Sequence, residues 1–279
     1  MIEKLTAVIF LIRPLNFVIT FVSVFIAAFI CKPDTILTLN LVLAAFAASV
    51  VLASGNIIND IKDVEVDRIN RPGRPLPSGK ISRINAYTLY LILVLISILI
   101  SFLLNEMAAL IVLLSIVLLF VYSKYLKQIP LVGNTTVSFL TGLVFIYGGV
   151  VVGNPSAAII PAVFAFLINF IRELIKDMQD VEGDKKANVV TFPIKYGFHK
   201  SKILILLFTI LLILFTTYPF ISKLYKIEYF VIVMVIVNPI LVYCLKILFE
   251  ENSTNNLKKI SNLLKLGMIF GLLVIYVGL

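Results

Sequence analysis

Apolar runs of about 20 residues, long enough to cross the hydrocarbon core of a bilayer as a helix, recur along the whole chain. They fall near residues 14–31, 36–57, 84–104, 107–125, 131–152, 157–176, 201–220, 228–249 and 260–279. Polar breakers separate them, among them "CKPD", "NE", "KQIP", "GNPS" and "YPFISKLYKIE". A chain in lipid must satisfy its backbone polar groups internally, so these runs predict helices. The expected fold is all-α: a polytopic membrane protein of nine transmembrane helices forming a bundle around a central cavity. A mean hydropathy of +1.08, with only 14% charged residues, is too apolar for a soluble domain. Cys31 and Cys244 sit in or beside apolar runs with no partner motif, which argues against a disulfide framework or a thiolate metal site. The first run starts after "RP" and leads into further spans, so no cleavable leader is expected.

Charge sets the orientation. With the N-terminus on one side, 21 of the 24 Lys and Arg residues fall on that side; Lys32, Lys223 and Lys226 fall on the other. The positive-inside rule makes the crowded side cytoplasmic. That asymmetry accounts for the net charge of +9 without a nucleic-acid partner.

Against this apolar background two acidic stretches stand out, "NIINDIKDVEVD" (56–67) and "RELIKDMQDVEGD" (172–184). Each closes an apolar run at the cytoplasmic side and leads into a basic loop. At about 100° per residue, positions i, i+3 and i+7 fall within an arc of roughly 60°. Asp60, Asp63 and Asp67 are therefore expected on one helical face, joined by Asn56 one turn earlier. Asp177, Asp180 and Asp184 repeat the pattern, with Glu173 in the place of Asn56. Glu65 and Glu182 point elsewhere. A carboxylate near a bilayer is costly, and like charges on one face repel. Two such arrays call for a cation, and a hard divalent ion with oxygen ligands and substrate phosphates fits Mg²⁺. The nearby Arg68, Arg71, Arg74, Lys80, Lys185 and Lys186 suit the remaining phosphate oxygens. The bland alternative, ordinary solvated helix ends, explains one cluster better than two of identical spacing. The repetition also hints at a pseudo-repeat, 1–128 and 129–250 with a ninth helix appended, inside a single domain 1–279.

"NDIKDVEVD" followed by "RINRPGRPLPSG" resembles the first signature of the UbiA superfamily of intramembrane prenyltransferases, and "KDMQDVEGD" resembles its second. The resemblance covers the whole chain, with "RPLN" (Arg13 to Asn16) opening the first span. It implies that two Asp motifs hold Mg²⁺ on an isoprenyl diphosphate within a helical bundle. Carried over, Asn56, Asp60, Asp63, Asp177 and Asp180 are metal and diphosphate ligands, with Asp67 and Asp184 closing the motifs. "YSKYLKQIP" resembles the family's loop over the diphosphate, which assigns Tyr122, Lys124 and Lys127 to substrate binding. Within the superfamily these segments look most like the archaeal digeranylgeranylglyceryl phosphate synthases. That implies transfer of a geranylgeranyl group from geranylgeranyl diphosphate to geranylgeranylglyceryl phosphate, a membrane-lipid-like acceptor, in ether-lipid synthesis. An aromatic acceptor, as in quinone synthesis, is the alternative enzyme reading. An ion-coupled transporter is the alternative of another class, although transporter sites usually lie near the midplane.

Other residues follow from this frame. Asp67 and Asp184 are candidate general bases. The acceptor phosphate is expected at Arg13, Lys4 or the 68–83 loop. Phe139, Phe145 and Tyr147 are candidates for stabilising an allylic cation. Asn16 and Asn169, polar within apolar segments, are candidates for lining the cavity. His199 in "YGFHKS" reads as interfacial, Arg172 as the partner of a neighbouring carboxylate, and Gly148, Gly149 and Gly153 as sites of close helix contact.

Overall fold

A computed structural model describes residues 2–186, 189–251 and 253–279, with the backbone alone for residues 2–5, 69 and 70. Among the described residues there is no strand, and nine helices are long and apolar enough to cross a membrane. The helices are α1 (Ile2–Ile12), α2 (Pro14–Cys31), α3 (Leu39–Lys62), α4 (Val64–Asn70), α5 (Arg83–Leu104), α6 (Glu106–Lys124), α7 (Val132–Val151), α8 (Ile159–Gln179), α9 (Val181–Lys186), α10 (Phe192–Ile221), α11 (Ile227–Ile232), α12 (Asn238–Glu250) and α13 (Thr254–Gly278). A π-turn, Val233–Val237, joins α11 to α12 as one span.

Polar caps set where α3 and α13 begin. Thr38 Oγ1 accepts from Leu41 N at 3.3 Å and starts α3. Ser253 Oγ does the same for Asn256 N at 3.3 Å, so α13 begins at Thr254, within the polar "TNNLKK", and not at residue 260. Pro14 occupies the first turn of α2, where its missing N–H is no loss. The stretch 185–200, expected as loop, contains the end of α9 and the start of α10. Gly197, at φ 84°, interrupts α10 in the left-handed region, and the long span continues from there.

The chain forms two compact units, Met1–Lys127 with Leu143–Ala158, and Gln128–Gly142 with Ile159–Leu279. The division falls inside α7, so the units do not coincide with the two sequence halves. In the first unit α3 is the central helix, with 67% of its apolar window buried against α2, α5 and α6. Small residues make that possible: Ala44, Ala45 and Ala28 pack with Val24, Leu41, Val112 and Tyr147. Tyr147 belongs to this core, which removes it as an aromatic beside a reacting cation. A Cβ on Gly148 would lie 2.6 Å from Ala27 Cβ, and one on Gly149 would lie 3.0 Å from Ala158 Cβ. Both are close-contact positions. Gly153 is not: nothing lies within 4 Å, and its φ of 79° marks a turn.

In the second unit α8 holds the centre, with α10 and α13 against it and α12 against α13. The middle of α7 approaches α8 so closely that a Cβ on Gly142 would meet Ala162 O at 2.7 Å. Asn169 is 5% exposed and donates from Nδ2 to Ser138 Oγ at 3.5 Å, a bond between α8 and α7. Asn16, by contrast, is exposed on α2, and Phe139 is 45% exposed while Phe145 is buried.

Candidate active site

Both aspartate motifs break their helix at the central aspartate. Helix α3 ends at Lys62, Asp63 sits at φ −94°, ψ 6°, and α4 starts at Val64. Helix α8 ends at Gln179 and α9 starts at Val181, with Asp180 between them. The new turns start alike: Asp67 N donates to Asp63 O at 2.7 Å, and Asp184 N donates to Asp180 O at 2.8 Å. Aspartate suits such junctions because its short side chain competes with helical hydrogen bonding. The single straight face expected from i, i+3, i+7 spacing is thus corrected to a bent one.

The bend sorts the carboxylates of the first unit. Asp60 and Asp67 are 4% and 5% exposed and meet at one guanidinium. Arg74 Nη1 donates to Asp67 Oδ2 at 2.6 Å and to Asp60 Oδ1 at 3.4 Å. Arg13 adds Nη2 to the same Asp60 oxygen at 2.6 Å and Nη1 to Asn56 Oδ1 at 3.3 Å. Asp63 turns to other partners, accepting from Lys127 Nζ and from Asn59 Nδ2, the latter at 2.9 Å. Arg13 is held at φ 56°, a left-handed conformation that is rare for a non-glycine residue. Its strained backbone lies between α1 and α2, where it can send a side chain across to α3.

In the second unit Asn134 Nδ2 donates to Asp177 Oδ2 at 2.9 Å. Glu173, 9% exposed, accepts from Arg172 Nη1 at 3.1 Å and from Lys176 Nζ at 2.9 and 3.0 Å. Asp180 is exposed and Asp184 half-buried. Asn134 and Asn59 had no signal in the sequence: each lies in or beside an apolar run, and only the fold shows which carboxylate it meets.

The basic loop divides as well. Arg68 and Arg83 both pair with Glu65, at 2.6 and 2.5 Å, on the exposed side of α4. Arg71, Lys80, Lys185 and Lys186 are exposed. Lys124 lies over the Tyr125 ring at 4.7 Å, and Tyr122 is half-buried. His199 is exposed. The side chain of Lys4 lies outside the described residues.

Among the described residues, no three His, Cys, Asp or Glu side chains are grouped as a ready-made cation cage. The donor set nevertheless fits Mg²⁺. It is built from carboxylate oxygens, and Asn59 Oδ1 is buried without a hydrogen-bond partner. Mg²⁺ commonly takes one or two carboxylates and completes its shell with water and substrate phosphates.

Residues 18–269 match the profile of the UbiA prenyltransferase family. The chain belongs to that family. Its relatives include the digeranylgeranylglyceryl phosphate synthase of Methanosphaera stadtmanae, 34% identical over 268 residues that cover 96% of this chain and 97% of that one. A solved structure described as giving structural and mechanistic insights into digeranylgeranylglyceryl phosphate synthase in membranes is 35% identical, with a TM-score of 0.81 over 99% of this chain and 98% of that chain. A UbiA homologue from Archaeoglobus fulgidus bound to GPP and Mg²⁺ superposes with a TM-score of 0.68 over 96% of this chain and 99% of that chain. At 20% identity that likeness concerns the fold alone. This UbiA protein is a multi-pass membrane prenyltransferase, as the nine spans and the family require.

Proposed function

We propose that this UbiA protein transfers a geranylgeranyl group from geranylgeranyl diphosphate to geranylgeranylglyceryl phosphate, the activity that its relatives' name describes. The observation that carries the chemistry is the twofold occurrence of a helix broken at its central aspartate, with buried carboxylates and cations clustered at the first of the two breaks. The acceptor assignment draws on identity of about 35% over nearly the full length to a synthase of that name. Both motifs and the N-terminus are placed on the cytoplasmic side, on the bias of basic residues.

Each array serves the departure of diphosphate from the prenyl donor. In the first unit Asp60 and Asp63, with Asn59, would hold Mg²⁺, in the second Asp177 would, and Asn56 orients Arg13. When bound, the metal neutralises charge that builds on the departing diphosphate. Arg13, Arg74 and Lys127 do two things. They hold the carboxylates in position, and they present guanidinium and ammonium groups where phosphate oxygens arrive. The C1–O bond of the donor breaks with its electron pair going to diphosphate. The acceptor hydroxyl oxygen then forms the new C–O bond, and its proton passes to a carboxylate, for which Asp67 and Asp184 are the candidates. Fixed charges of this kind act most strongly where water is scarce.

The test is reconstitution of the purified protein with geranylgeranyl diphosphate and either geranylgeranylglyceryl phosphate or an aromatic acid. Ether-lipid product is expected with the first acceptor. Product with the aromatic acid alone overturns the acceptor, and cation flux without diphosphate turnover overturns the enzyme.

A further inference from the structure

Helix α12 ends on "VYCLKILFE" (242–250). At about 100° per residue, Tyr243, Lys246, Phe249 and Glu250 fall within an arc of roughly 120°, and Lys246 lies midway between the two rings. All four are exposed. The neighbouring helices each set a lysine on one of those rings. From α13, Lys259 Nζ lies 5.1 Å from the centroid of Tyr243 and donates to its hydroxyl at 3.0 Å. From α10, Lys202 Nζ lies 5.3 Å from the centroid of Phe249. Ammonium groups from three helices thus form a row across one face: Lys259, Lys246, Lys202.

One carboxylate meets the row. Glu250 Oε1 lies 3.7 Å from Lys246 Nζ, with both side chains more than half exposed. Glu251 turns instead to Asn256, whose Nδ2 donates to it at 3.3 Å, and Lys258 adds a further exposed charge on α13. Among the described residues Lys202 and Lys259 have no carboxylate partner, so the row carries an excess of two positive charges. An ion pair would neutralise each lysine within the protein. A ring face and a neutral phenol hold the ammonium in place and leave its charge uncompensated. Tyr243 Oη accepts from Lys259 and keeps its own O–H to donate. Earlier on the same span the exposed residues are aliphatic, among them Val231, Val235 and Val242. Along the span the surface therefore passes from aliphatic to aromatic to cationic, which is the profile of one bilayer leaflet from chains to headgroups.

We propose that Lys202, Lys246, Lys259 and Tyr243 form a binding site for the headgroup of an anionic bilayer phospholipid. Its charge matches the excess on the row, and its phosphate oxygens accept from the three ammonium groups and from the Tyr243 hydroxyl. Its chains lie along Val242 and Val235. The headgroup bridges α10, α12 and α13 and so ties three helices of the second unit together. The occupant is a resident lipid and not a substrate of the transfer reaction.

Native mass spectrometry of the solubilised full-length protein, titrated with phosphatidylglycerol or with phosphatidylcholine of the same chains, reads the site. The wild type is expected to prefer phosphatidylglycerol by about tenfold or more. Lys202→Gln, Lys246→Gln and Lys259→Gln together should abolish that preference. Lys32→Gln, Lys223→Gln and Lys226→Gln together remove the same charge at other loops and should leave it within about twofold. Phosphatidylglycerol should also raise the thermal midpoint of the wild type by about 2–4 °C and leave that of the first triple variant unchanged. If the first triple variant fails to fold, Lys246→Gln with Lys259→Gln, exposed at both positions, decides by the same preference. Equal affinity of the wild type for the two lipids overturns the site, as does an unchanged preference in the deciding variant. Loss of preference in the control variant as well assigns the effect to net charge and overturns it too. Displacement of phosphatidylglycerol by an equal concentration of inorganic phosphate marks a general anion site. Displacement by an equal concentration of geranylgeranylglyceryl phosphate marks a substrate site. Either result removes the resident lipid.

Discussion

Arg13 reaches Asp60 at 2.6 Å from a backbone held at φ 56°. A residue in that conformation costs on the order of 1–3 kcal/mol and persists only where its surroundings over-determine it. Here two acceptors on α3, Asn56 Oδ1 and Asp60 Oδ1, hold the guanidinium, and Pro14 fixes the start of the next helix. Arg13→Lys keeps the charge and loses the fork. Initial rates are expected to fall about tenfold or more, with thermal unfolding changed far less. Arg13→Gly relaxes the backbone yet removes the cation, and rates should fall further. A Lys variant with unchanged rates would mean the fork has no part in turnover.

Lys127 sits on Asp63 after the end of α6. If it also meets the diphosphate, Lys127→Ala should raise the KM for geranylgeranyl diphosphate by about tenfold and leave the acceptor KM alone. The same measurement on Lys124→Ala, whose ammonium lies over Tyr125, should show a smaller effect.

Asn134 is the partner that keeps Asp177 in place from α7. Removing it in Asn134→Ala should cost about 1 kcal/mol of stability and lower turnover about tenfold. Asn134→Asp should do worse, because a second carboxylate then faces the first. Thermal unfolding and initial rates on the same preparations distinguish the two variants.

Divalent metal is required if the oxygen donors act as described. Chelation with EDTA should abolish turnover, and added Mg²⁺ should restore it. In equilibrium dialysis, Asp60→Ala should bind fewer Mg²⁺ per chain than the wild type in the presence of prenyl diphosphate. Full activity in EDTA contradicts the metal assignment.

The tight approach at Gly148 offers a stability test away from the chemistry. A Cβ there would lie 2.6 Å from Ala27 Cβ and 3.0 Å from Val24 O, so α7 and α2 must part. Gly148→Ala should destabilise the protein by about 1–3 kcal/mol, whereas Gly271→Ala, with nothing within 4 Å, should not. Unfolding in mild detergent reads the difference.

The spans were legible because bilayer thickness imposes a length that apolar runs display directly; the run at 14–31 is α2 to the residue. Helix ends were less so. Thr38 starts α3 inside the run at 36–57 and Ser253 starts α13 ahead of the run at 260–279, each through a single side-chain cap that hydropathy does not register. Spacing found the aspartates but described them on straight helices. The bends at Asp63 and Asp180 depend on local competition for backbone hydrogen bonds and on distant partners such as Lys127. Arg74 and Arg13 were readable as basic residues near acids, and their joint hold on Asp60 was not. Asn134 and Tyr147 illustrate the limit from both sides. A polar residue beside an apolar run proved to be a partner of Asp177, and a candidate aromatic proved to be core.

The most direct test replaces one carboxylate in each motif without changing its shape: Asp60→Asn and Asp177→Asn, assayed for diphosphate release and ether-lipid product with the two geranylgeranyl substrates. Each single variant should lose about 10²–10³ in turnover while remaining folded. Turnover within about twofold of wild type in either folded variant would contradict the claim that both aspartate motifs serve one reaction.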